Sequence, residues 1–362
     1  MRARASRLGL IPEEPMPVSL DFEPSTSHPS GVADRSRRDS AAAGREPDAS
    51  WITIGLVNNM PDSALSATER QFVALLAAAA GTTRVRLRSY ALPDVPRSER
   101  GREYVRRSCS PVEELWGTPL DAVIVTGTEP RSRDLRDEPY WPSLTQLFAW
   151  AEKNTRSAIW SCLAAHAAVL HLDGIERRPL EDKRFGVFEC AVAADALTAG
   201  LPRRIRMPHS RWNELPEERL VAAGYRALTR SPGAGVDAFV RKGPSLFLFF
   251  QGHPEYEAET LMLEYRRDVK RFLNGERATY PAMPREYFDD RTSEMLSIVR
   301  DRALGGRREE AVHELEMALG RAAPTNRWQP AAVRLYRNWL GHLAAQKAGG
   351  AAQADALVQR CA

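Results

Sequence analysis

The segment Ser157-Ala158-Ile159-Trp160-Ser161-Cys162-Leu163-Ala164-Ala165-His166-Ala167-Ala168-Val169-Leu170 changes its hydrophobic period in the middle. Before Cys162 there is a short apolar run, as in a buried strand; after it comes an alanine-rich helical pattern. The stretch reads as strand, sharp turn and helix, with a thiol at the bend. A cysteine in that place faces backbone N–H groups and the positive end of the helix dipole. Both favour the thiolate, which is the form that attacks carbonyls. Ser161 and Ala164 are small enough for a cramped elbow of the kind built around hydrolase nucleophiles. A buried structural cysteine, acting as a small hydrophobe, fits the same junction.

The remainder of the chain extends this unit. Residues 1–50 are rich in Pro, Ser, Arg, Asp and Glu with few periodic apolar positions, which predicts a disordered leader. Trp51–Val57 is a first strand, and Asn58-Asn59-Met60-Pro61-Asp62 a loop. A helix follows from Ser66, where Ser66 and Glu69 fit a capping box. Val85–Tyr90 alternates like a strand. Arg97–Ser110 reads as a loop with a short helix, Leu120–Gly127 as a buried strand, and Trp141–Lys153 as a helix. After the Cys162 unit come a strand over Phe185–Val192 and a polar, aromatic loop over Met207–Trp212. Strands over Asp237–Arg241 and Ser245–Gln251 come next, then a helix from near Ala258 to Leu273. Beyond Pro281 the pattern is helical, over 290–303, 308–320 and 329–346, with the last eleven or so residues frayed. Strand alternating with helix predicts an α/β fold: a mostly parallel sheet flanked by helices, with a C-terminal helical extension. The expected organisation is 1–50 leader, 51–285 catalytic domain and 286–362 helical extension. In such sheets ligands bind beyond the carboxyl ends of the strands, where Gly127 and Cys162 both fall.

A second strand end carries Gly252-His253-Pro254-Glu255-Tyr256. Pro254 stiffens that corner and sets the spread of its neighbours. Cys162, His253 and Glu255 together are a nucleophile, a base and an acid that orients the base. Taken alone, His253 also fits a satisfied loop histidine and Glu255 a helix cap. His166 and His171 follow Cys162 on its helix, where packing or solvent accounts for them. His28 lies in the leader, and His313 and His342 lie in charged C-terminal helices. No grouping has metal-ligand spacing, so no metal is expected.

These pieces resemble the homoserine O-succinyltransferase and O-acetyltransferase family, which has the class I glutamine amidotransferase-like fold. The matching pieces run in family order. They are Asn58-Asn59-Met60-Pro61, Thr68-Glu69-Arg70-Gln71-Phe72, Val125-Thr126-Gly127, Tyr140-Trp141-Pro142, and Cys162 with Ala164-Ala165. Gly186-Val187-Phe188-Glu189, Pro208-His209-Ser210-Arg211, Gly252-His253-Pro254-Glu255-Tyr256 and Arg267-Asp268 come after, with Asn338-Trp339-Leu340 at the end. They span about 51–285 and again about 326–345. The resemblance implies a two-step acyl transfer from succinyl-CoA or acetyl-CoA to the hydroxyl of homoserine or a related amino acid. Cys162 would carry the acyl group as a thioester, His253 would act as the base, and Glu255 would orient it. No bound cofactor is implied, since acyl-CoA is a co-substrate. It also implies that Lys183, Ser210 and Arg267 hold substrate, which suits an amino-acid carboxylate. Arg131 stands where the family has glycine in succinyl users and glutamate in acetyl users. An arginine fits neither pattern, and it is the position expected to set acyl specificity. The insert near 286–325 has no obvious family counterpart; it is expected to be a helical hairpin packed on the core or forming an oligomer contact.

Other functions find less support. A net charge of +4 from 51 basic and 47 acidic side chains argues against nucleic-acid or membrane partners. Cys109, Cys162, Cys190 and Cys361 show no disulfide framework, and no signal-peptide core follows the N-terminus, so a cytoplasmic setting is expected. A homodimer is the assembly family members often adopt. A glutamine-hydrolysing amidotransferase would use the same three residues, but it calls for glycines flanking the nucleophile where this chain has Trp160 and Ala164. A catalytically silent homologue would have little reason to keep all three.

Overall fold

The computed structural model describes residues 18–20 and 51–361. Most of the expected leader lies outside them. Within it, β1 (Val18–Leu20) is ordered as a strand, against expectation for those three residues. Then come β2 (Trp51–Val57), α1 (Leu65–Ala80), β3 (Arg84–Tyr90), α2 (Glu99–Ser108), α3 (Val112–Gly117), β4 (Ala122–Val125) and α4 (Trp141–Asn154). The cysteine unit is β5 (Ser157–Ser161) and α5 (Leu163–Asp173). The second half comprises β6 (Arg178–Val192), β7 (Arg204–Glu214), α6 (Glu217–Ala222), β8 (Arg226–Ser231), β9 (Gly235–Arg241), β10 (Leu246–Phe250) and α7 (Thr260–Leu273). The chain closes with α8 (Asp290–Leu304), α9 (Arg308–Arg321) and α10 (Gln329–Cys361).

All these strands join one sheet in the order β1-β3-β2-β4-β5-β10-β9-β8-β6-β7. From β1 through β10 every neighbour pairs in parallel. From β10 to β7 the pairing is antiparallel. The parallel part is buried on both faces, so its strands are apolar at nearly every position, and successive side chains go to opposite layers. Ile52, Ile54, Ile124, Ile159, Leu248 and Phe250 face one layer with α1 and α10. Val57, Val123, Val125, Trp160, Phe247 and Phe249 face the other with α3, α4 and α5. Trp160 sits edge-on to Phe148 and Phe247, with ring centres 4.7 and 5.3 Å away.

The C-terminal helices serve two places. α8 and α9 form a hairpin that buries Leu296, Val299, Leu315 and Leu319 against Leu261, Tyr265 and Val269 of α7. α10 instead lies on the sheet, where Trp339 Nε1 donates to Ser157 Oγ at 2.9 Å. It runs as helix to Cys361, through the residues expected to fray.

Three further expectations are corrected. The capping box is not made. α1 starts one residue early, Ala64 gives it no side-chain cap, and Glu69 instead accepts from Ser89 Oγ and Tyr104 Oη, both at 2.6 Å. Met207–Trp212 is not a loop but the centre of β7, paired to β6 with Pro208 opposite Val187. Proline reads as punctuation in a sequence, yet β7 is the last strand of the sheet, and an edge strand tolerates a missing N–H. β8 is absent from the sequence-based expectation, because its residues alternate weakly; it forms a hairpin with β9 and pairs on its other side with the more distant β6.

Candidate active site

β5 and β10 are adjacent and parallel, with Ser161 opposite Phe250. The two strands therefore deliver their C-terminal residues to the same rim of the sheet. The Cys162 N–H donates to Phe250 O at 2.8 Å, stitching the two exits together. Cys162 has φ 53° and ψ −113°, a conformation strained for a residue with a side chain. It is the N-cap of α5: Ala165 and His166 N–H donate to Cys162 O, which leaves the N–H groups of Leu163 and Ala164 without a partner inside the helix. Gly127, at the end of β4, lies tight against this elbow. A Cβ there would come within 2.7 Å of Leu163 Cβ and 2.8 Å of Leu163 N.

His253 Nδ1 and Glu255 Oε1 are 2.9 Å apart, and both side chains are buried. With Nδ1 taken by Glu255, Nε2 is the nitrogen left for the Cys162 side, and the sulfur is near enough for its charge to act on the ring. Burial by itself lowers the pKa of His253, but the negative charges of Glu255 and Cys162 outweigh it and hold the pKa well above that of free histidine. Tyr256 stacks on the ring with centres 4.2 Å apart and planes 18° apart. The backbone N–H of His253 donates to Pro208 O at 2.9 Å, which ties the loop to β7. Cys162, His253 and Glu255, distant in the chain, are thus one group.

Lys183, Ser210 and Arg267 gather beside it around two acids on α7. Lys183 Nζ lies 3.2 Å from Asp268 Oδ2 and 3.5 Å from Glu264 Oε2. Ser210 Oγ donates to Glu264, whose other oxygen accepts from Tyr256 Oη at 2.6 Å. Arg267 donates twice to Asp268 Oδ1, at 3.0 and 2.9 Å, and is half-exposed. Burial pushes the Asp268 carboxyl up, but Lys183 and Arg267 bring it below its ordinary value. Arg131 stands apart. Its side chain is exposed with no partner among the described residues, while its backbone N–H and that of Ser132 donate to buried Glu138 Oε1 at 2.5 Å each.

Beneath the rim lies a buried polar set to which the sequence assigned no role. Arg211 Nε donates to His209 Nδ1 at 3.3 Å, so the His209 proton is on Nε2, which faces Asp237 Oδ1 at 3.2 Å. Asp237 also accepts from Thr229 Oγ1 at 2.7 Å. Cys190 completes a cluster of three metal-capable groups within 4.8 Å of one another. Burial pushes the Cys190 thiol up and His209 down; Thr229 holds one oxygen of Asp237, while Asp237 Oδ1 and His209 Nε2 face each other with no other hydrogen-bond partner among the described residues. Arg211 is only 4% exposed and also donates to Asn213 O and Ala234 O; burial lowers its pKa to about 10. His166 is a packed residue, as expected: Gln251 Oε1 accepts from its Nε2 at 3.0 Å and from Leu215 N–H at 2.9 Å, and burial lowers its pKa to about 3. His209, Arg211, Tyr256 and Asp268 stood inside matched motifs, which was the available signal for them. Asp237 and Gln251 carried none.

Among the described residues no helix is long and apolar enough to cross a membrane. A solved glutamine amidotransferase from Thermotoga maritima, 13% identical, covers 81% of this chain and 97% of its own with a TM-score of 0.44. That likeness is too loose to argue from, and the sheet stands on its own strand order. A homoserine O-succinyltransferase from Rhodopseudomonas palustris is 50% identical over 83% of this chain and 92% of its own length. One from Bradyrhizobium japonicum is 46% identical over 83% and 92%. The family model for homoserine O-succinyltransferase matches residues 38–349. The chain belongs to the homoserine O-succinyltransferase family of acyltransferases.

Proposed function

We propose that the protein moves a succinyl group from succinyl-CoA to the hydroxyl of homoserine in two steps through a thioester on Cys162. In the first step the Cys162 thiolate adds to the donor carbonyl. The oxyanion gathers at the open N–H groups starting α5, beside Gly127. The C–S bond to coenzyme A breaks, and the departing thiolate takes its proton from His253. In the second step His253 Nε2 accepts the proton of the homoserine hydroxyl as its oxygen adds to the thioester carbonyl. The Cys162–carbonyl bond breaks, restoring the thiolate beside a protonated His253. Glu255 holds the ring by Nδ1 throughout and balances its positive charge.

One observation carries this reading: Cys162 and the bonded His253–Glu255 pair leave adjacent strands, β5 and β10, at the same rim of the sheet. Lys183, Ser210 and Arg267 hold the acceptor in this scheme, with the cations taking its carboxylate. Arg131 acts on the donor from the loop after β4. The chemistry is assigned to residues 51–285, the helices beyond 286 cover and brace them, and the active particle is a homodimer, to be read by sedimentation.

The test is mass spectrometry of the protein mixed with succinyl-CoA alone. A succinyl mass gain on Cys162, absent in Cys162→Ser and discharged by homoserine, supports the scheme. Turnover without any adduct, with intersecting rather than parallel double-reciprocal lines, would sink it. Acetyl-CoA is run beside it to define the donor.

A further inference from the structure

We propose that Arg177 is the residue that recognises the free carboxylate of a dicarboxylic acyl donor and so selects succinyl over an uncharged chain. The inference rests on the acyl-transfer reading and adds a residue that neither the sequence motifs nor the family resemblance singled out.

The loop after β4 starts at the elbow, where Gly127 is packed on Leu163. Glu138 gathers its middle by two backbone N–H groups, and Arg177 donates from Nη2 to the adjoining carbonyl, Arg133 O, at 3.2 Å. Arg177 therefore stands beside the loop that leaves the elbow. It is half-buried, and that loop carbonyl is its one hydrogen-bond partner among the described residues, with no carboxylate at ion-pair distance. Most of its planar donor fork is unspent.

The charge of the Cys162 sulfur acts on Arg177 and on Arg211. Arg211 is committed to Asn213 O, Ala234 O and His209 Nδ1 beneath the sheet rim. Arg177 is the one with donors to give. A succinyl thioester ends in a carboxylate two methylenes from its carbonyl. A guanidinium meets a carboxylate with two parallel hydrogen bonds, and does so more strongly when partly removed from water. Glu138 and Cys162 help to keep Arg177 charged against its burial. Arg131 points outward without a partner, and what anchors its segment is its backbone.

The experiment compares succinyl-CoA with butyryl-CoA, which has a methyl group where succinyl has its carboxylate. The readout is the ratio of their kcat/KM values, since a general folding defect lowers both and leaves the ratio alone. Arg177→Gln is expected to lower that ratio by roughly 10–100-fold, as for a lost charged hydrogen bond. Arg177→Lys should keep part of it, and Arg131→Gly should lower it less than Arg177→Gln does. A ratio unchanged in Arg177→Gln overturns the proposal, as does a larger collapse in Arg131→Gly. A wild-type protein that forms no succinyl adduct on Cys162 overturns the acyl-transfer reading itself, and this inference with it.

Discussion

Gly252 lies between the end of β10 and His253, and Gly252→Ala tests how the buried layer supports the site. Its backbone is not in the left-handed region, so the effect of an added methyl is steric. A Cβ there would fall inside van der Waals contact of Asp237 Oδ1, 2.9 Å from Met207 Cγ and 3.0 Å from Pro208 O. None of the three can easily give way. Asp237 is fully buried and held by Thr229, Met207 is in the core, and Pro208 O is the acceptor for the His253 N–H. Overpacking of this kind costs about 1–3 kcal/mol. At roughly 2–4 °C per kcal/mol for a large domain, Tm should fall by roughly 2–12 °C. The easiest relief is a shift of the 252–255 loop, which moves His253 away from Cys162, and a misplacement near 1 Å can cost ~10²-fold in turnover. Calorimetry and steady-state succinyl transfer are the assays, with iodoacetamide labelling of Cys162 as a local probe. A Gly252→Ala protein with wild-type Tm and kcat would refute the reasoning, because contacts this close leave no room for both.

Other changes have separate expectations. Glu255→Gln keeps the shape but removes a charge that raises His253; kcat should fall ~10²–10⁴-fold, with the His253 limb of the pH–rate profile moved to lower pH. Lys183→Met leaves Asp268 and Glu264 short of a cation and should cost about 3–5 kcal/mol at pH 7 by thermal unfolding. Because Asp268 is depressed, that contribution is present above its unfolded value near ~4 and is lost as pH falls through the folded one. The Tm gap between this variant and wild type should therefore narrow toward pH 3, and a constant gap would contradict the pairing. Trp339→Phe deletes the bond to Ser157 Oγ and should cost about 1 kcal/mol in a denaturant titration. Gly341→Ala, mid-helix with open space around its Cβ, should stabilise by about 0.5–1 kcal/mol and serves as the control for Gly252→Ala.

The local chemistry of this chain was legible in one dimension. The period change at Cys162 marks the elbow, the double-faced apolar runs mark the buried parallel strands, and Gly252-His253-Pro254-Glu255 places a base and its partner two residues apart. These signals are local, because hydrophobic period and backbone freedom act over a few residues. Only the folded chain decided which strands are neighbours. The pairing of β5 with β10 joins residues almost ninety positions apart, and no local propensity encodes it. The same holds for β7, whose proline looks like a break until its place at the sheet edge is known. Glu69 shows the limit from the other side: its position suited a helix cap, but Ser89 and Tyr104, brought in by tertiary packing, made the better hydrogen bonds. The buried Arg211–His209–Asp237 chain and the unspent donors of Arg177 are of that kind too, since the surroundings of a charge are set by whatever the rest of the fold brings against it.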